Sequence, residues 1–389
     1  MQRLAVHRGL SRANWRAASS FPRACDGVSS CNALGLSLPL PPQYPSKQQF
    51  QSFRCASSKT SALSLTHKKR KGQKITMVTA YDYPSSIHVS RAGMDIILVG
   101  DSVGMVELGY DTTQPMTMDA MIHHCASVHR GVDFVTRSGT ANKIPLLVGD
   151  MPLGSYEYRD TDVALRNAYR FIKESGMDAV KLEGGSARRA NTAHEIVESG
   201  VAVMGHIGLL PQAISVSGGF RAVGRTATRA RQLVDEALRL QDAGIFALVL
   251  ECMPANVAKE ITESLEIPTI GIGAGGHTSG QVLVFHDMLG MLSHPHHDAF
   301  MPKFCKQYAS VGHNIQDGLQ TFKHDVEGGV FPGEEFAPYL MKDDEKKLFD
   351  EMLQNDSEER IRRHDAAADK YVQTDEYEKL DLYGKGKSS

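Results

Sequence analysis

From Lys74 onward the chain alternates short, continuously apolar runs with longer amphipathic segments. The runs are Ile75–Ala80, Asp95–Gly100, Ile144–Gly149, Ala179–Leu182, Val201–Gly205, Phe246–Leu250 and Thr269–Ile272, built mostly from Val, Ile, Leu and Met. Apolarity at every position, rather than at every second one, predicts strands covered on both faces, as in a parallel sheet. Between the runs the period lengthens to that of a helix. In Asp160–Gly176, Ala164, Ala168, Phe171 and Ile172 fall at i, i+4, i+7 and i+8, with Asp160 or Thr161 as N-cap and Gly176 as the stop. Thr226–Gly244 repeats the design with Ala230, Leu233, Val234, Ala237 and Leu240 on one face. Seven βα units are legible in this way. An eighth strand is predicted around Ala299–Phe304, followed by a helix near Val311–Val326. The count and length favour a closed (β/α)8 TIM barrel over an open doubly wound sheet.

The two ends of the chain follow other rules. Up to Thr66 the only acid is Asp26, against eight basic residues: Arg3, Arg8, Arg12, Arg16, Arg23, Lys47, Arg54 and Lys59. The stretch is rich in Ser and Ala and holds the run Leu38-Pro-Leu-Pro-Pro42. An Arg- and Ser-rich, acid-poor N-terminus without a continuous apolar core is the pattern of an organelle transit peptide, the alternative being a plain basic tail. Residues 1–70 are therefore assigned to a mitochondrial (matrix) presequence and linker, with Lys68-Lys-Arg-Lys71 as a solvated boundary. Residues 71–337 are assigned to the catalytic barrel and 338–389 to a charged, partly helical or disordered extension. Within that extension Leu348, Phe349, Met352 and Leu353 are expected to line one helix face against the barrel.

Composition narrows the function by exclusion. In 389 residues, 43 basic and 45 acidic side chains leave a formal charge of −2, which offers no electrostatic reason to expect a nucleic acid partner. No stretch approaches the roughly 20 apolar residues that cross a bilayer, so a soluble chain without a membrane partner is expected. The six cysteines (25, 31, 55, 125, 252 and 305) show no metal-binding spacing and are expected as free thiols.

The candidate chemistry lies in what ends the apolar runs. Ile-Leu-Val-Gly stops at Asp101 and Leu-Leu-Val-Gly at Asp150; Ala-Val-Lys-Leu leads to Glu183, Val-Met-Gly to His206 and Leu-Val-Leu to Glu251. In a barrel these C-terminal strand ends converge on the rim where active sites are built. Asp101, Asp150 and Glu183 form a hard oxygen set, suited to a divalent cation that keeps some of its waters. That favours Mg2+ over zinc, because no Cys/His set accompanies them. Lys181 and Glu183, two apart on one strand, point to the same side. Lys181 is suited to hold a substrate carboxylate or to neutralise an enolate, the alternative being a structural salt bridge. Glu251, at the end of an apolar run, is a candidate base with a desolvation-raised pKa, or else a cap on a backbone amide. His206 is equally a donor to substrate or a structural histidine. Gly271-Ile-Gly-Ala-Gly-Gly276 matches a dinucleotide fingerprint in form, but it comes late in the chain with no ribose-binding acid behind it, so a tight turn exposing backbone amides is expected. His294, His296 and His297 are expected in a solvated loop rather than a metal site.

Seven segments, in order, resemble one family. They are Thr79-Ala-Tyr-Asp-Tyr83, Leu98-Val-Gly-Asp-Ser-Val-Gly-Met105, Gly149-Asp-Met-Pro152, Val180-Lys-Leu-Glu-Gly-Gly185, Gly205-His-Ile-Gly-Leu209, Leu250-Glu-Cys-Met-Pro254 and Gly271-Ile-Gly-Ala-Gly275. Together with Pro302-Lys-Phe304 and Gly329-Val-Phe-Pro-Gly-Glu334 they resemble the ketopantoate hydroxymethyltransferases, from about Ile75 to Glu335. The resemblance implies transfer of a hydroxymethyl group from 5,10-methylenetetrahydrofolate to 3-methyl-2-oxobutanoate, giving 2-dehydropantoate, the first committed step of pantothenate synthesis. It implies Asp101 and Asp150 as Mg2+ ligands with Glu183 near the metal through water. It further implies Ser102, Lys181 and His206 as contacts to the oxo acid, and Glu251 as the proton-abstracting base. The metal would act as a Lewis acid toward the enolate. A homo-oligomer, often a decamer, is implied as well. Departures from compact bacterial members are both terminal extensions and two stretches read as longer loops, Asp133–Lys143 and His294–Asp298, which are expected to bear on folate access or subunit contacts. Two other readings stay open: a Mg2+-dependent carbon–carbon lyase resembling isocitrate lyase and phosphoenolpyruvate mutase, whose loop cysteine has no counterpart here, and a non-catalytic barrel scaffold.

Overall fold

The computed structural model describes residues 58–141, 143–291, 302–337, 339–355 and 362–363. Residues 1–57 of the stretch assigned to a presequence and linker, the histidines at 294, 296 and 297, and the chain end beyond 363 lie outside the described residues. Ten strands occur among those described: β1 (Ser58–Lys59), β2 (Ile75–Thr79), β3 (Ile96–Val99), β4 (Lys143–Ile144), β5 (Leu146–Asp150), β6 (Ala179–Glu183), β7 (Ala202–Gly208), β8 (Ala247–Glu251), β9 (Thr269–Ile272) and β10 (Gly280–Leu283). Eight of them close into a parallel barrel in the order β10-β2-β3-β5-β6-β7-β8-β9. The outlying β1 and β4 pair with each other. All seven apolar runs supply barrel strands.

The closing strand corrects the expectation. It is β10, immediately after β9, and not the stretch around Ala299–Phe304, whose described part, Pro302–Phe304, contains a turn. Its apolar signal is broken by Gly280 and the exposed Gln281. Glycine at 280 is required by closure itself, since a Cβ there would stand 2.4 Å from the carbonyl oxygen of Ile75 on β2. The connection from β9 is residues 273–279 without a helix, so the spacer that announces a βα unit is missing at this point.

The helices follow their caps. Thr161–Ser175 starts where Asp160 accepts from the Asp162 amide and ends at Gly176, φ 71°. Its Ala164, Ala168 and Phe171 are buried against the barrel. Ala227–Asp242 starts at Thr226 and buries Leu233, Val234, Ala237 and Leu240. The barrel interior is filled by the other parity of the strands, including Met77, Leu98, Val148, Ala179, Met204, Val249 and Val282. Because successive strand side chains alternate, the same parity carried two residues on from Val148, Ala179, Met204 and Val249 reaches Asp150, Lys181, His206 and Glu251. The polar mouth is thus the next layer of the same packed cylinder.

At the opposite end the fold begins earlier than the 1–70 linker assignment allows. Ala62–Arg70 is a helix capped by Ser61, and its Leu65 is fully buried in the interior cluster. The basic boundary is not simply solvated. Lys68 pairs with Asp95 at 2.7 Å, and Lys69 donates to the carbonyls of Thr262, Leu265 and Ile267. Asp133–Lys143 is largely not a loop either. Helix Met118–Ser138 runs through it with Val135 buried, and it precedes β5 on the face away from the mouth, so it does not border the rim. The helix in the extension does form, as Asp343–Asn355. Its apolar residues do not face the barrel, however: Leu348, Phe349 and Met352 are 52, 47 and 58% exposed. Val311–Glu327 is also helical, with no buried residue. No described helix is long and apolar enough to cross a membrane.

Candidate active site

The residues singled out at the run ends meet in one place. Asp101, Asp150, Lys181, Glu183, His206 and Glu251, with Ser102, line a single small pocket of about 110 Å3 at the C-terminal mouth of the barrel. Four of the barrel strands end on it, β5 with Asp150, β6 with Lys181 and Glu183, β7 with His206 and β8 with Glu251. Asp101 follows β3 after the single residue Gly100, and its amide donates to Asp150 Oδ2 at 3.2 Å.

Burial is deep and the charges are unbalanced. Asp101, Asp150, Lys181, Glu183 and His206 are each no more than 4% exposed. Lys181 Nζ lies 2.9 Å from Asp150 Oδ2 and 3.9 Å from Glu183 Oε1. One ammonium therefore faces four carboxylates. Burial alone would lower the Lys181 pKa, but Asp150, Glu183 and Asp101 together outweigh it, and the ammonium is held firmly charged. Burial, reinforced by Asp101 against the pull of Lys181, pushes Asp150 up to about 7. Glu183 is driven well above the ordinary carboxylate range, first by burial and then by Asp101, Asp150 and Glu251, against the opposing pull of Lys181. Burial and the Lys181 charge keep His206 below the usual imidazole range. A neutral His206 then accepts from Lys181 Nζ at Nδ1, 3.3 Å away, which assigns the proton to Nε2. Nε2 lies 3.1 Å from Glu251 Oε2 without the alignment of a hydrogen bond.

The donor set suits a hard divalent cation. Asp150 Oδ1 is buried with no hydrogen-bond partner in the structure, and the surplus of carboxylates is relieved by one added positive ion. Among the described residues no three His, Cys, Asp or Glu side chains form a ready cage.

Above this pocket lies a larger cavity of about 770 Å3. The two share Asp101, Ser102, Pro211, Glu251, Ile272 and Val284, so a molecule in the upper chamber rests on the floor where the buried acids sit. Glu251, with its side chain 16% exposed, stands at the junction. Its backbone is tightly fixed. Leu209 N donates to the Glu251 carbonyl at 2.9 Å, and a Cβ on Gly208 would come within 2.1 Å of that oxygen. Cys252, next in sequence, holds φ 48°, an uncommon left-handed conformation for a non-glycine residue. Burial pushes its thiol up to about 12, with Glu251 adding to the effect, so it is no ready nucleophile.

Residues 59–334 match the model of the ketopantoate hydroxymethyltransferase family. The chain belongs to that family. It is 55% identical to 3-methyl-2-oxobutanoate hydroxymethyltransferase 1, mitochondrial, of Oryza sativa subsp. japonica, over 71% of this chain and 73% of that one. It is 54% identical to the Arabidopsis thaliana protein of the same name, over 71% and 78%. The Heliobacterium modesticaldum enzyme, 3-methyl-2-oxobutanoate hydroxymethyltransferase, is 49% identical over 72% of this chain and 95% of its own. Among solved structures, a phosphonopyruvate hydrolase covers 79% of this chain and 98% of its own with 10% identity and a TM-score of 0.46, too distant a likeness to bear on the site.

In this ketopantoate hydroxymethyltransferase family member the structure adds residues that strand-end reasoning missed. Gln212, 3% exposed, donates from Nε2 to Asp101 Oδ2 and to the Met151 carbonyl, each at 2.9 Å. Its Oε1 accepts from the Tyr156 hydroxyl, and its amide donates to Glu183 Oε2 at 3.2 Å. The Glu183 amide in turn donates to the Tyr156 oxygen. Gln212 and Tyr156 therefore brace two of the carboxylates from behind. Tyr81, within the Thr79–Tyr83 motif, is fully buried and shares a hydrogen bond of 2.8 Å with Ser102. Gln212 and Tyr156 lie at no strand end and outside every recognised segment, whereas Tyr81 directly follows the run Ile75–Ala80 and fell inside one.

Proposed function

We propose that this chain transfers a hydroxymethyl group from 5,10-methylenetetrahydrofolate to 3-methyl-2-oxobutanoate, giving 2-dehydropantoate for pantothenate synthesis. The observation that carries the reading is the two-chamber site. The deep chamber is small, with acids around one lysine and apolar walls that include Leu98, Val249, Ile272 and Val282, which suits a short oxo acid with an apolar end. The upper chamber suits a larger co-substrate, and Glu251 stands where the two meet. The relatives that the chain matches over about 70% of its length are named 3-methyl-2-oxobutanoate hydroxymethyltransferase, which supports the acceptor and the group transferred.

Asp101 and Asp150 are the residues that would hold Mg2+, with Glu183 close by, and the metal would polarise the keto group of the oxo acid. Lys181 neutralises negative charge in the deep chamber, and its firm positive charge lets it pair with the substrate carboxylate. His206, neutral with its proton on Nε2 and no hydrogen bond there to Glu251, donates that proton to the substrate. Glu251 removes the proton from the carbon next to the ketone. Its junction position puts that carbon within reach of a donor in the upper chamber. Ser102, held by Tyr81, contacts the oxo acid. Mitochondrial targeting to the matrix is proposed from the acid-poor N-terminal segment together with the names of the plant relatives. Self-association is proposed as well. Helix Val311–Glu327 leaves Ile315, Leu319, Phe322 and Val326 exposed in one stripe, a face that association of copies would cover.

The test is product analysis from the oxo acid and methylenetetrahydrofolate, with and without a chelator, alongside solvent deuterium exchange into the oxo acid with Mg2+ and no folate. Formation of 2-dehydropantoate that stops on chelation supports the reading. Exchange that persists undiminished in Glu251→Gln removes Glu251 from the role of base.

A further inference from the structure

The upper cavity has an uneven lining. Its body is apolar, with Met105, Val106, Phe220, Met253, Leu283 and Phe304 among the walls. Among the described residues its acids are Asp101, Asp111, Glu251 and Asp287, and its basic lining residues are Arg221 and Arg225. Both arginines are exposed. Among the described residues, neither guanidinium has a hydrogen-bond or ion-pair partner, whereas Arg229, four residues beyond Arg225, pairs with Glu236. They belong to the segment between helix Ile214–Ser217 and helix Ala227–Asp242. This segment is tied to the site, because Val223 N donates to the carbonyl of Cys252, the neighbour of Glu251, at 2.9 Å. Gly224, φ 82°, lies where a Cβ would come within 2.8 Å of Leu233. The two arginines therefore flank a fixed point of the cavity wall.

We propose that Arg221 and Arg225 form a subsite for carboxylates at the far end of the co-substrate, whose apolar, ring-bearing body fills the 770 Å3 cavity. The inference rests on the proposed function in taking that co-substrate to be a reduced folate, whose glutamate end carries the carboxylates. The physical case is complementarity. A guanidinium presents paired N–H donors in the geometry of a carboxylate, and a cavity of this size falls in the range of small-molecule sites. Neither arginine lines the deep chamber, so the pair would tell one donor from another without touching the oxo acid.

The experiment compares two donors, methylenetetrahydrofolate with its glutamate and the analogue truncated before it. They are assayed with the parent chain and with Arg221→Gln, Arg225→Gln and the double variant. Both side chains are exposed, so the variants are expected to fold, which circular dichroism checks. The parent is expected to prefer the glutamate-bearing donor in KM, each single variant to lose about tenfold of that preference, and the double variant to lose nearly all of it. Calorimetric binding of tetrahydrofolate should weaken in step, and added salt should weaken it more in the parent than in the double variant. A double variant that keeps the parental preference, or binds tetrahydrofolate within twofold of the parent, overturns the subsite. Deuterium exchange into the oxo acid by the parent, without folate, tests the underlying reading separately. If that exchange fails while binding of tetrahydrofolate still depends on the arginines, the reading falls and the subsite stands.

Discussion

A buried carboxylate with one kind of surroundings sits at the base of the barrel, and a cluster of carboxylates with the opposite kind sits at its mouth. At the base, Asp95 is 1% exposed at the entry to β3. It accepts from Lys68, from Lys143, and from the amide and hydroxyl of Thr76. Burial would raise its pKa, but the two lysines and the Thr76 amide prevail, and the net shift is downward. At the mouth, Asp150 on the neighbouring β5 is as deeply buried, yet its pKa rises, and one of its oxygens has no partner. The base has more cations than acids, with every Asp95 oxygen engaged; the mouth has four acids to one lysine. The difference separates charge that locks a fold from charge held ready for a ligand. A cluster optimised for stability would not leave Asp150 Oδ1 and His206 Nε2 buried without partners.

Four substitutions would break or sharpen that contrast. The largest effect is expected for Glu251→Gln, which should slow exchange of the oxo acid by about 1,000-fold while thermal stability stays close to the parent. Asp95→Asn should cost about 3 kcal/mol in denaturant unfolding, because it leaves two lysines at the base without their shared carboxylate. Magnesium affinity at the far end of the barrel should not respond. The same residue sets a pH signature. A carboxylate with a depressed folded pKa contributes stability that is fully present above its unfolded value of 3.8 and is lost as pH falls through the lower folded value. The acid limb of the stability curve below that value should therefore be shallower in Asp95→Asn. Gln212→Leu, which removes the brace on Asp101, should weaken Mg2+ binding measured by calorimetry by about 10- to 100-fold. The smallest effect concerns stability in Asp150→Asn. Unfolding free energy measured with chelator should change by no more than about 1 kcal/mol, because a like-charge neighbour is removed together with the Lys181 pair. Its Mg2+ titration should shift markedly, and an unchanged titration would sink Asp150 as a ligand.

The barrel was legible in the chain because each of seven strands is apolar on both faces, and because Asp160, Thr226 and Gly176 mark helix ends by local chemistry alone. The strand-end acids were legible for a related reason. A polar residue that stops an apolar run has one place to go when eight strands are parallel, namely the shared mouth. The closing strand was not legible, since Gly280 and Gln281 carry no apolar signal and earn their place only by meeting Ile75 on β2, some 200 residues earlier. Leu65 and Lys68–Lys69 were misassigned to a linker because a basic run reads as solvated until Asp95 and the carbonyls near Ile267 come beside it. Gln212 and Tyr156 were missed because a neutral side chain acquires a role only from its partners.

What the sequence by itself determined is thus everything governed by near neighbours along the chain: strand and helix positions, caps, and which residue terminates each strand. What only the tertiary structure decided is everything governed by neighbours across it. That includes where the cylinder closes, which carboxylates outnumber their cations, and which buried oxygen lacks a partner. The reason is that burial and electrostatic balance are properties of a location in space, and a residue acquires them only when distant segments are brought against it.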